Sequence, residues 1–574
     1  MTTTTTITAD CRLQTDIPPV SGLVPIKAQA SGRVLGDAAG HASSTAPSEE
    51  RSGDPSDNNG SLVSLDFDRP SANRRPMILT VMAITQPALI NFLTSFTNGI
   101  ITVCLPTIAR SVNLQRQLYL WPVSVFGLTS GSLLLLAGST ADLIGARAVE
   151  ITGASILGIF SLASGFAQTG EQLVAFRAIQ GIGAAMHLPA SVSLVAAATD
   201  KGRARNFGFA ALGFSQPLGF SVGLVLGGVL AEYSTWRIGF YVPGGLLAAA
   251  AVAGRWTLPK TTPAPAPDGG VGGRVWSRFR TEIDWVGVGL ASSGLTVFSY
   301  VLAILSADLQ MIRSATTISL LALSLALLAS FPFWMGRRER AGRPALVPNS
   351  LWGNVPFTTI CALVAISWGT VNSMELFSSL YFQEVQRRSS LTASLFLLPN
   401  VVVGTALSLM TGVFVHRLPA RWLTGGSSLL CAASPLLMAL VEPAWSYWHG
   451  QFWAQVLVPV SADVLFTVGL IVVSESFPER TQALAGAVFN TVGQLGLSLG
   501  VGVCQVVALG VAGNGSGGGG HGGGGGGAFD DEQVGALLRG YRASFWAMFG
   551  QMLLCTAVAV VGLRKVGKVG VKRE

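Results

Sequence analysis

Three charged residues stand where charge is expensive. Arg177, Glu375 and Asp463 each lie inside a long apolar run, without another charged residue close by in the chain. A cation or carboxylate at the centre of a bilayer costs about 2.5–3.5 kcal/mol, and less towards the ends of a span. Each must therefore face a protein interior and find partners there. Asp463, beside Ser461 and Ala462 near the middle of its run, is placed to hold a proton or a cation. Glu375 lies nearer the end of its run and can instead reach the membrane interface.

A fourth feature is the stretch Gly138-Ser-Thr-Ala-Asp142-Leu-Ile-Gly145-Ala-Arg147, which reads as a polar turn between apolar runs 118–138 and 149–168. Its glycines suit a tight turn, because glycine takes positive φ without steric cost. Asp142 is placed to cap or charge-stabilise a helix N-terminus, and Arg147 to meet a carboxylate or a helix C-terminus. Other chemistry finds no constellation. Five histidines are scattered, and His187 reads as a packed polar residue. Six cysteines show neither CxxC nor Cys/His spacing. The expectation is no catalytic residue, no metal and no cofactor, hence not an enzyme.

The elements that must position these residues are membrane helices. Of 574 residues, 50% are hydrophobic and only 11% charged, against about 25% in soluble domains. The sequence pI near 9.4 does not indicate nucleic acid, since the basic residues sit in short loops between apolar runs. A helix needs about 20 apolar residues to cross a hydrocarbon core of about 30 Å. On that measure there are fourteen spans: 82–107, 118–138, 149–168, 173–196, 206–230, 237–257, 284–304, 315–336, 356–378, 391–414, 421–441, 451–475, 482–510 and 543–563. Loops on the side of the N-terminus, together with the C-terminal tail, carry 23 Lys and Arg against eight on the other side. Both termini are therefore expected in the cytosol, with the 138–147 turn on the same side.

Residues 1–72, rich in Thr, Ser, Asp, Gly and Pro, read as a disordered cytosolic tail. Residues 258–283 read as a flexible cytosolic linker, 511–540 as a glycine-rich external loop and 564–574 as a basic cytosolic tail. In that loop Asn514-Gly-Ser516 is a glycosylation sequon on the expected outer side.

An internal repeat organises the spans. Gly138-x3-Asp142-x4-Arg147 is echoed by Gly412-x3-His416-x4-Arg421. Gly219, Gly223, Gly227 and Gly228 in the fifth span are echoed by Gly493, Gly496, Gly500 and Gly502 in the thirteenth. The expected fold is an all-α membrane protein of two parallel six-helix bundles, 77–257 and 356–563. Two inserted central helices, 284–336, lie between them in the chain. Parallel halves of this kind suit alternating access.

These residues resemble the major facilitator superfamily. Gly138, Asp142, Gly145 and Arg147 match its signature loop, with Thr140 where leucine or phenylalanine is usual. Arg177-Ala-Ile-Gln180-Gly181-Ile-Gly183 is similar to the buried arginine motif of its drug:proton antiporters. Pro217 and Gly219-x3-Gly223-Leu224-x2-Gly227-Gly228 resemble their antiporter motif, with Leu224 where proline is usual. Asp284-Trp285-x-Gly287, Tyr381-Phe382-Gln383 and Asn490-Thr491-x2-Gln494-x-Gly496 resemble the fourteen-helix branch. Phe96-Thr97-Asn98-Gly99 and Trp121-Pro122-x-Ser124 look most like fungal aminotriazole- and toxin-resistance efflux pumps. Thr97 stands where that branch commonly has an acid.

The resemblance implies a proton-driven exporter of small hydrophobic or amphipathic compounds such as drugs, toxins or secondary metabolites. It implies a conformational switch at Gly138, Asp142, Gly145 and Arg147, and proton coupling at Arg177, to which Asp463 and Glu375 are added as acids. The fifth-span glycines would pack tightly and seal the two halves against leak. Asn91, Asn98, Trp121, Gln180 and Trp368 are candidate pocket liners, offering polar handles and aromatic walls. Expected partners are a small-molecule substrate, protons and the lipid bilayer, with no nucleic acid, and the expected state is a monomer. The expected location is the plasma membrane, with the vacuole as the other candidate. The competing reading is an importer or vacuolar transporter of a defined nutrient, such as a basic amino acid or iron chelate.

Overall fold

The computed structural model describes residues 77–114, 118–199, 203–260, 283–307, 309–343, 345–414, 418–477, 479–513, 531–564 and 566–567. The 1–72 tail, most of the 258–283 linker, His416, Arg417 and the Asn514 sequon lie outside the described residues.

Among the described residues, fourteen helices are long and apolar enough to cross a membrane. In chain order they are α1 (Met77–Ser111), α2 (Trp121–Ile144), α3 (Ala146–Phe166), α4 (Gly170–Ala198), α5 (Arg203–Tyr233) and α6 (Ile238–Thr257). The inserted pair is α7 (Trp285–Ala307) and α8 (Ala315–Arg340). Then come α9 (Val355–Leu380, extended by the π-turn Tyr381–Val385), α10 (Ser390–Phe414) and α11 (Ala420–Leu440). Last are α12 (Gln451–Leu457, then Pro459–Ser476), α13 (Glu479–Gly513) and α14 (Asp531–Gly562). The face where α1 begins is called the near face below, and the opposite one the far face.

Several helices outrun their apolar stretches. At 1.5 Å per residue the 35 residues of α1 span about 50 Å, well beyond a core of about 30 Å. Continuing the helix keeps its backbone hydrogen-bonded as it leaves the membrane. Likewise α14 begins at Asp531, a dozen residues before its apolar stretch at 543.

The same logic corrects the 138–147 stretch. It is not an extended polar turn: α2 runs on through Asp142 to Ile144 and the turn is one residue, Gly145, with φ 105°. Only glycine holds that backbone without strain.

Packing shows the repeat directly. In the first bundle α1 packs on α5, α2 on α4 and α3 on α6; in the second, α9 packs on α13, α10 on α12 and α11 on α14. Every partner is displaced by eight helices, as two parallel six-helix bundles separated by an inserted pair require. The glycines sit at these crossings. A methyl group at Gly219 or Gly223 would overlap the carbonyl of Phe92 or Phe96 on α1. One at Gly496 or Gly500 would overlap the backbone of Ala365 or Gly369 on α9. The halves meet where α2 packs on α13 and α5 on α10.

The inserted pair is pinned by Asp284. Its carboxylate accepts from the Gly287 amide and from Trp334 Nε1 of α8, both at 3.0 Å, with Arg338 Nε 3.8 Å away. Helix α7 then lies against α2 and α13, while α8 packs on α7 and is mostly exposed, as a lipid-facing helix would be.

Candidate functional site: a buried arginine, two membrane-depth acids and a far-face latch

Arg177 is 1% exposed and is solvated entirely by neutral groups of the first bundle. Its Nε donates to the Pro122 carbonyl at 3.0 Å, Nη1 to Gln180 Oε1 at 2.7 Å and Nη2 to Asn98 Oδ1 at 2.5 Å. The guanidinium lies 4.4 Å from the Phe126 ring centroid, a contact worth up to about 2 kcal/mol when desolvated. Gln180 is oriented in turn, donating to the Phe160 carbonyl and to Ser164 Oγ. One side chain thus joins α1, α2 and α4, and through Gln180 also α3. Among the described residues no carboxylate bonds to it, so its positive charge is not cancelled locally.

Asn98 and Gln180, two of the candidate pocket liners, have their amides committed to this network. A third, Asn91, donates to the Leu212 carbonyl and Ser215 Oγ of α5. These three are interhelical ties. The aromatic candidates lie elsewhere: Trp121 lines a small cavity of about 40 Å³ between α2, α7 and α13, and Trp368 stacks on Phe466 with centroids 5.7 Å apart. The structure does not gather the five into one pocket.

Glu375 and Asp463 do come together. Asn400 Nδ2 of α10 donates to Glu375 Oε1 at 2.8 Å. One turn along α10, the Asp463 carboxylate lies against Gly404, where a methyl group would come within 3.0 Å of Oδ2. The two acids thus lie against successive turns of α10, at Asn400 and Gly404. Glu375 is buried rather than at an interface, which its sequence position left open. Pro459 breaks α12 one turn before Asp463, as a residue without an amide proton does.

At the near face Arg147 meets a helix C-terminus: its Nη2 donates to the Arg255 carbonyl in the last turn of α6. Asp142 corrects its expected role. It is exposed in the last turn of α2, while the N-cap of α3 is Gly145, with no side-chain capping bond. Because α2 continues to Ile144, Asp142 belongs to the preceding helix and does not cap the next.

The antiporter-motif glycines also differ from expectation. Gly219, Gly223 and Gly227 face Phe92, Phe96 and Ile100 of α1, inside one bundle. Only Gly228 of the set faces the other half, against Leu391 and Ser394 of α10. The motif's main contact is therefore within the first half, not between halves. Pro217 sits a turn earlier in α5, its carbonyl accepting from Ser221 Oγ at 2.5 Å.

Two groups absent from the sequence-based set complete the picture. Glu384, in the π-turn after α9, accepts from Tyr119 Oη at 2.7 Å and from Tyr541 Oη at 2.5 Å. Its neighbour Gln383 donates to the Val103 carbonyl of α1 at 2.9 Å. With the bond from Ser498 Oγ to the Ser124 carbonyl, these join the two halves towards the far face. The other group is Glu150 of α3 with His187 of α4, 2.9 Å apart and 0% and 1% exposed. A charged residue just after Arg147 in an apolar run was the available signal for Glu150. Nothing local marks Glu384, since its partners come from distant helices.

Two parallel helical bundles around a buried cation and two membrane-depth acids define a multi-pass membrane transporter. The family comparison agrees: the profile of the Major Facilitator Superfamily matches residues 88–501, and the chain belongs to that family. The chain is 38% identical to MFS-type transporter 1 of Pyricularia oryzae over 562 residues, 92% of this chain and 90% of that one. It is 25% identical to a low affinity ammonium transporter of Saccharomyces cerevisiae, covering 67% of this chain and 73% of that one. It is also 25% identical to the efflux pump terJ of Aspergillus terreus, covering 86% and 88%.

Proposed function

We propose that the protein is a proton-driven exporter of small hydrophobic or amphipathic compounds, working by alternating access in the plasma membrane. The observation that carries this reading is the distribution of buried charge between the halves. One half holds an uncancelled cation, Arg177; the other holds the acids Glu375 and Asp463 against successive turns of α10. Acids at membrane depth are the means by which a transporter carries protons. A proton crossing 100 mV supplies about 2.3 kcal/mol, enough to drive a neutral compound against roughly a 50-fold gradient.

The near face, rich in Lys and Arg, is then cytosolic, and both termini lie there. In this reading the latch at Glu384 holds the outer side of the two halves together. Outward opening requires the Tyr119–Glu384 bond to break, while the Tyr541 bond to Glu384 lies within the second half and can persist. Arg147, bonded to the end of α6, holds the α2–α3 turn during that motion, and Asp142 remains available for a contact formed in another state. Similarity to an efflux pump supports export, while similarity to an ammonium transporter supports uptake of a small cation.

One experiment separates the two. Yeast cells expressing the protein are compared with empty-vector cells for accumulation of rhodamine 6G and of labelled methylammonium, with and without a protonophore. The export reading expects lower dye accumulation, abolished by the protonophore, and unchanged methylammonium. Increased methylammonium with unchanged dye would replace it by the uptake reading.

A further inference from the structure

The pair Glu150 and His187 is spent on neither the arginine network nor the acids of the second half. Glu150 lies one turn along α3 from Arg147, and His187 faces it from α4. Beyond them, Gly153 and Gly183 bring the backbones of α3 and α4 into close contact, where a methyl group on either would meet the other's carbonyl at 2.9 Å. The pair is therefore enclosed by packing that has little room to give.

His187 Nδ1 is 2.9 Å from Glu150 Oε1. The far atom of each group, Glu150 Oε2 and His187 Nε2, is buried and has no hydrogen-bond partner among the described residues. With one proton on the ring, Nδ1–H satisfies Oε1 and leaves Nε2 an acceptor without a donor. With a second proton, Nε2–H is a donor without an acceptor, but the imidazolium then neutralises the carboxylate. Neither state is fully satisfied. A closed, purely structural pair would be satisfied in one of them, because buried polar groups are normally paired.

The charged residues on elements packed against the pair at this face are few. They are Asp142 on α2, Arg147 on α3 and Arg255 on α6, with Arg203 and Arg205 opening α5. α1 contributes none in its near-face half. Arg147 Nη2 donates to the carbonyl of Arg255, and among the described residues none hydrogen-bonds to Oε2 or Nε2.

We propose that Glu150 and His187 form a proton-holding site in the first half, distinct from Arg177 and from Glu375 and Asp463. The proton is taken up on the imidazole, converting a buried net negative charge into a neutral ion pair that grips α3 to α4 beside the Gly145 turn. The site does not depend on which compound is transported, nor on the direction of transport.

The test is nitrogen NMR of the full-length protein in lipid bilayers, with its histidines labelled and His187 assigned by loss of its signals in His187→Gln. The pH is varied from about 5 to about 9, the range in which histidine ordinarily changes charge. The His187 ring signals are expected to change reversibly between neutral and doubly protonated forms. Glu150→Gln, which alters the group facing Nδ1, should change that response. Glu150→Asp should restore most of the response. Wild-type His187 fixed in one form throughout the range overturns the proposal. So does a response that Glu150→Gln leaves unmoved. Should Glu150→Gln not fold, the wild-type titration and Glu150→Asp decide by themselves.

Discussion

Replacing Gly223 by alanine tests the packing argument most directly. A Cβ at this position would overlap the Phe96 carbonyl oxygen and stand 2.9 Å from its carbonyl carbon and Cα. Ordinary contact begins near 3.4 Å, and the obstructing atoms are backbone, so no rotamer change relieves the clash. Only separating α1 from α5 does. That motion is resisted one turn away, where Gly219 lies on Phe92, and where Gly99 of α1 lies on Phe220. Overpacking of this kind costs about 1–3 kcal/mol, against which alanine's helix propensity returns at most about 1 kcal/mol. The internal control is Gly213 on the same helix, where a methyl group meets nothing within 4 Å. Gly213→Ala should be neutral or stabilising by up to about 1 kcal/mol. The two variants should therefore differ by about 2 kcal/mol, read as a clear difference in the temperature at which purified protein loses its monodisperse size-exclusion peak. Gly500→Ala, facing Gly369 in the second copy, should follow Gly223→Ala. Equal thermal stability of Gly223→Ala and Gly213→Ala would refute the reasoning, because it would mean α1 and α5 separate freely.

Arg177→Lys keeps the charge but not the fork that spans Pro122, Gln180 and Asn98. It should lose at least one charged hydrogen bond of about 1.5–3 kcal/mol and lower protonophore-sensitive dye export about tenfold. Unchanged export with unchanged expression would make the fork dispensable. Glu384→Ala removes the acceptor of both Tyr119 and Tyr541, and should shift the population towards separated far-face ends by about tenfold or more. Spin-label distances between the start of α2 and the start of α14 measure this; an unaltered distribution would show that the latch contributes nothing to closure.

Much of the fold was legible because membrane helices announce themselves locally. Apolar length set the fourteen spans, and the spaced glycines of α5 and α13 revealed the repeat. Boundaries were less legible, as with α14 and the end of α2, because hydropathy tracks the bilayer while a helix tracks its own hydrogen bonds. The site was legible in part. Arg177, Glu375 and Asp463 stood out by the cost of charge in an apolar run. Their partners did not, because Asn98, Asn400 and Gln180 are ordinary polar residues until a neighbouring helix presents them.

The sequence by itself determined that this chain crosses the membrane many times, that its halves repeat, and which charged residues lie at depth. All three follow from composition along one strand of chain. Only the tertiary structure decided who meets whom. It placed the α5 glycines against α1 rather than across the halves, moved Asp142 into α2, and brought Glu375 beside Asp463. It also joined Glu150 to His187 and Glu384 to two tyrosines. These are contacts between helices far apart in sequence, set by rotation about each helix axis and by which backbones can approach closely. No local pattern encodes that rotation; the packing of neighbours does.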